Sequence, residues 1–196
     1  MEMPVVYVVL LGYGPQHRTY MQRLENIQWQ WICAVIVLLA LSRFIPHPPN
    51  FTPIGAMAIL SGGLFKSVRM GLIMPLTAML LSDLVLGLHS TMLFVYVSIT
   101  IIILSCHYLL HTLNLLSLSF AVVFTTAVFF LITNFGAWLS HDIYPHNAQG
   151  LWLAYIAGLP FLLNSLLANI VFTITACVAL LSLKPIKESL SETYKT

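Results

Sequence analysis

Apolar residues in this chain come in long runs with little interruption, and short polar clusters separate them. Crossing a hydrocarbon core of about 30 Å takes about 20 such residues in a helix. Helices and closed barrels alone satisfy every backbone polar group there. The runs predict helices over approximately Trp29 to Phe44, Ile54 to Phe65, Met70 to Leu88, Thr91 to Leu110, Leu116 to Leu139 and Tyr155 to Leu183. The expected fold class is therefore an all-α membrane protein, a compact bundle of six transmembrane helices within residues 27–183, with both termini cytoplasmic.

The breaks between runs have physical causes. Pro46, Pro48, Pro49 and Pro53 lack backbone N–H groups and push the preceding residues toward extended geometry, so a stiff loop follows the first helix. Gly55, Ala56, Ala58, Ser61, Gly62 and Gly63 mark the second run as a closely packed inner helix. The third carries Pro75, which neighbours must accommodate. Ser140 to Leu153 reads as a polar loop flanked by Trp138 and Trp152 at the depth of an aromatic belt. Residues 1–26 form a poorly defined segment, too short in apolar residues to span. Met21 is an alternative start, with the first twenty residues a gene-model extension. Residues 184–196 read as a polar cytoplasmic tail.

Composition strengthens this picture. Of 196 residues, 59% are hydrophobic and 7% charged, which no water-exposed surface of this size accommodates. A net charge of +2 is too small to suggest nucleic acid. Placement of charge says more. With six spans, Arg18, Arg23, Lys66, Arg69, Lys184, Lys187 and Lys195 fall on one side and Arg43 alone on the other, a positive-inside pattern for a bacterial inner membrane. Cys33, Cys106 and Cys177 lie in apolar runs without metal or redox spacing.

Candidate chemistry concentrates on the side away from the basic residues. Asp83 sits inside an apolar helix, where a charge costs at least about 2.5–3.5 kcal/mol, so it pairs, faces an internal cavity or lies near water. Two readings stand: ligand or gate, or a paired structural group. Asn134 and Asn164 are open to the same choice between ligand contact and interhelical hydrogen bonding. His47 and His89 lie in the loops of that side. Neither shows a helical metal spacing, and His47, on the stiff loop, is the better candidate to coordinate a metal-bearing ligand. His107 and His111 have i, i+4 spacing but no acidic partner. No nucleophile–base signature, paired carboxylates or phosphate loop is present, so the chain is not expected to be an enzyme or to hold a cofactor of its own.

The strings HPPNFTPIGAMAI, PLTAMLLSDLVLGLHSTMLFVY and FLITNFGAWLSHDIYPHNAQGLWLAYIAGLPFLLNSLL resemble a family of small, uncharacterised bacterial multi-pass membrane proteins over roughly Ser42 to Thr173. The arrangement is more distantly similar to the substrate-binding S-components of energy-coupling factor vitamin transporters. That likeness implies a vitamin-like or cofactor-like small organic ligand captured from outside. It implies a lid from His47 through Asn50 to Thr52, and a pocket lined by Asp83, His89, Asn134, Trp138 and Tyr144. It also implies an energy-coupling partner, which S-components of the group type meet through alanines four apart on the first helix. Here Ala34 and Ala40 are six apart. The other reading is a structural or assembly protein without transport activity.

Overall fold

The computed structural model describes residues 29–110 and 114–182. They form six helices: α1 (Trp29–Ser42), α2 (Ile54–Leu64), α3 (Val68–Leu86), α4 (Met92–Leu109), α5 (Leu115–Ser140) and α6 (Ala148–Ser182). Among the described residues there is no strand. The helices α3, α4, α5 and α6, with 19, 18, 26 and 35 residues, are long and apolar enough to cross a membrane. The remaining two are shorter, 14 residues in α1 and 11 in α2.

The short α2 organises the bundle. Every residue from Ile54 to Gly62 is buried, and α2 packs against all five other helices. Eleven residues at 1.5 Å each make roughly 16 Å of helix, about half a hydrocarbon core. Its small residues explain how so many neighbours reach it. A Cβ at Gly62 would overlap the Ile103 carbonyl oxygen and the Cys106 side chain, and one at Gly55 would overlap the Asn169 amide. Close backbone approach of this kind is what small residues permit where lipid removes the hydrophobic drive for helix association. Ile36, Met57, Ile59, Met79, Ile99, Ile102, Ile103 and Leu180 fill the surrounding core.

Outward-facing positions are apolar too. Leu81, Leu84 and Val85 on α3, Leu116 and Phe120 on α5, and Leu163 on α6 are exposed. These are the surfaces of a membrane protein, where acyl chains replace water. The charged residues among those described are Arg43, Lys66, Arg69, Asp83 and Asp142. Three of them are exposed in or beside the inter-helix connections, and Arg43 and Asp83 are sunk into the bundle.

The observed α6 starts at Ala148, seven residues before the expected Tyr155, so Trp152 lies in the helix rather than at a loop edge. The cause is local. Asn147 caps the helix, its Oδ1 accepting from the Gly150 N–H at 2.9 Å, and satisfies a first-turn donor. The segments 1–26 and 184–196, with Met21 and His111, lie outside the described residues.

Candidate functional site

The last turn of α1 places Arg43 at the mouth of the 43–53 loop. From there the guanidinium reaches α3: Nη2 donates to Asp83 Oδ1 at 2.6 Å, while Nη1 donates to Ser82 Oγ and lies 3.5 Å from the Met79 carbonyl oxygen and 3.3 Å from its sulfur. The Tyr96 hydroxyl on α4 donates to the other carboxylate oxygen at 2.8 Å. Asp83 is 1% exposed, and both of its oxygens are bonded. Breaking such a pair leaves an uncompensated buried charge, whereas keeping it whole offsets much of the desolvation cost.

Beyond Arg43 the prolines hold the chain away from helix until Pro53. Asn50 takes a positive φ of 61°, a conformation asparagine tolerates better than most residues. The loop is tied to α6: Asn164 Nδ2 donates to the Pro49 carbonyl at 3.0 Å, Ser165 Oγ to the Asn50 carbonyl at 3.4 Å, and Phe51 packs on Phe172 with centroids 5.7 Å apart. This strap closes one side of a cavity of about 470 Å³. Loop residues Arg43, Pro49, Asn50 and Thr52, with Ile54 at the start of α2, form one wall. His89, Thr91 and Val95 contribute from the start of α4 and the turn before it. Phe129, Thr133, Asn134 and Ala137 of α5 and Phe161 of α6 complete it. A second void of about 10 Å³ shares Asn50, Thr52, Ile54 and Phe129 with the first and adds Gly55, Ser165 and Asn169. It has room for about one water molecule.

The wall chemistry is mixed. Phenyl rings and aliphatic groups offer apolar contact; amides, hydroxyls, an imidazole and a guanidinium offer directed hydrogen bonds, as in small-molecule pockets generally. Asn134 Nδ2 already donates to the Phe130 carbonyl at 2.8 Å, and Thr133 Oγ1 to the Phe129 carbonyl at 2.7 Å. His89 Nδ1 lies 3.0 Å from Thr91 Oγ1.

The family model for DUF6580, a family of unknown function, matches residues 23–188. The chain belongs to that family. No curated protein and no solved structure matches it.

In this DUF6580 chain the expected site residues separate into two groups. Asn50, Thr52, His89 and Asn134 line the large cavity. Asp83 does not; it stands behind Arg43, because the guanidinium and the Tyr96 hydroxyl take its oxygens. His47 is exposed, with Nδ1 3.1 Å from the Pro48 carbonyl oxygen, and is absent from the lining. The Trp138 indole donates to the Pro145 carbonyl at 2.9 Å and meets His146 edge-on, which fixes it to the 141–147 loop instead of the cavity. Tyr144 is half-buried in that same loop and also outside the lining. Asn164 acts on the strap from α6. Among the described residues no group of three or more His, Cys, Asp or Glu side chains is placed to hold a metal ion.

Sequence reasoning missed Arg43, Thr91, Thr133, Phe129 and Phe161 in the large cavity and Asn169 beneath it. For Arg43 a signal existed: the one basic residue on its side of the predicted bundle and the one intramembrane carboxylate each need a counter-charge. The phenylalanines gave none, since they are indistinguishable by type from lipid-facing neighbours.

Proposed function

We propose that this protein is a six-pass inner-membrane protein, with both termini cytoplasmic, that binds a small organic molecule in the cavity beneath the 43–53 loop and takes part in its uptake. The observation that carries this reading is the cavity itself, about 470 Å³ and walled by a loop and four helices. Its volume falls within the roughly 300–1,000 Å³ usual for small-molecule sites. A crevice of about 410 Å³ between α4 and α5 is lined mainly by Leu109, Leu116, Phe120 and Phe124 and has no charged group among the described residues, so it suits an acyl chain better than a polar solute.

With six spans and cytoplasmic termini, the cavity lies on the side opposite the basic residues and faces outward. The bonds from Asn164 and Ser165 and the Phe51–Phe172 contact hold the strap to α6, so its release needs these three contacts to part. Inward delivery then requires rearrangement of the bundle or a coupling subunit.

The rival, a structural or assembly protein, draws support from Asp83, whose complete pairing suits helix cohesion. Native mass spectrometry of protein purified from its membrane separates the two. Binding predicts a co-purifying small molecule that is lost when Ala137→Phe fills the cavity, with folding retained. A molecule carried equally by wild type and Ala137→Phe, or none in either, favours the scaffold.

A further inference from the structure

Which chemical class the cavity takes is written in the charges of its wall. The described residues include two carboxylates, Asp83 and Asp142, and neither lines the cavity; Asp83 is buried on the far side of Arg43, and Asp142 is exposed in the 141–147 loop. The lining holds a permanent cation, Arg43, and an imidazole, His89, that is neutral or positive but never negative. Of the ion pair, the cation belongs to the wall and the carboxylate does not. Both Nη nitrogens of Arg43 serve α3, while Nε–H has no hydrogen-bond partner among the described residues. The first turn of α2, which opens on the cavity at Ile54, has no side-chain cap and adds partial positive charge to the same wall.

We propose that the molecule bound here carries a carboxylate seated against Arg43, with an apolar body against Phe129 and Phe161. This rests on the binding reading above and names its ligand class. A guanidinium held from behind by Asp83 and Ser82 is pre-oriented, so little conformational freedom is lost when a carboxylate arrives. Asp83 is then a positioning residue for Arg43.

Matched probe pairs test this in detergent-solubilised full-length protein: benzoate and benzamide, phenylacetate and phenylacetamide, naphthoate and naphthamide, with affinities from saturation-transfer NMR. Each acid is expected to bind about tenfold tighter than its amide. Arg43→Gln alone strands a buried carboxylate, so the informative variant is Arg43→Gln/Asp83→Asn, which removes both charges together. It should abolish the acid preference and leave amide binding in place, and Ala137→Phe should weaken both. Equal affinity for acid and amide overturns the carboxylate assignment while sparing the cavity. A preference that survives Arg43→Gln/Asp83→Asn locates the effect away from Arg43 and overturns it as well. Failure of acids and amides alike overturns the binding reading and this inference with it.

Discussion

The polar cluster that joins α1, α3 and α4 differs from the one that joins α2, α5 and α6 in charge and in how completely it is bonded. In the first, Arg43, Asp83, Ser82 and Tyr96 satisfy one another, and both carboxylate oxygens have donors. In the second, Asn169 Nδ2 donates to Thr126 Oγ1 at 2.9 Å, and Thr126 in turn donates to the Val122 carbonyl at 2.8 Å. Around this second cluster and along α2, Ser61, Thr125 and Thr173 keep buried hydroxyls with no partner among the described residues. A charge in a low-dielectric interior leaves no room for an absent partner. A hydroxyl costs far less, and a threonine in a helix often retreats to its own backbone carbonyl.

The largest test of that contrast is to break the charged cluster from one side. Arg43→Gln or Asp83→Leu alone should destabilise the fold by about 3–5 kcal/mol, because each leaves its partner buried and unpaired. The paired change Arg43→Gln/Asp83→Asn should recover most of the loss. Unfolding in mixed micelles, followed through tryptophan fluorescence, measures all three. Single variants as stable as wild type would mean that the charges reach water, and the contrast between the clusters would vanish.

The neutral cluster should respond more weakly. A double-mutant cycle on Asn169→Ala and Thr126→Ala should return a coupling of about 0.6–1.7 kcal/mol, the range for interhelical hydrogen bonds within membranes. The same unfolding measurement reads it. A coupling as large as that between Arg43 and Asp83 would show that burial, not charge, sets the scale.

Much of the architecture could be read from runs of apolar residues, since a spanning helix declares itself by length and composition. The prolines between Ile45 and Ile54 and the glycines of α2 likewise marked the loop and the packed inner helix. The start of α6 was less legible, because Asn147 acts as a cap through one hydrogen bond that periodicity does not register. The lining of the candidate cavity was half legible. Asn50, Thr52, His89 and Asn134 stood out as polar groups near one end of the predicted bundle and do line the cavity. Trp138 and Asp83 stood out equally, yet each turns to a different partner: an α5 indole to the Pro145 carbonyl, an α3 carboxylate to Arg43. Rotation about a helix axis decides such choices, and in segments apolar on every face the sequence carries little rotational information.

Adjacent threonines on α5 give the finest version of the comparison. Thr126 is bonded to two partners, whereas Thr125 is fully buried with its hydroxyl unmatched among the described residues. Valine keeps the shape of threonine and removes the hydroxyl, so the substitution isolates the polar contribution. Thr125→Val should be neutral or stabilising by up to about 1 kcal/mol, since it discards a group whose desolvation nothing offsets. Thr126→Val should destabilise, because it removes the acceptor for Asn169 within the buried cluster. Equal losses at both positions would mean that the Thr125 hydroxyl is bonded after all. The neutral cluster would then be as fully matched as the charged one, and charge would no longer explain why one of them tolerates gaps.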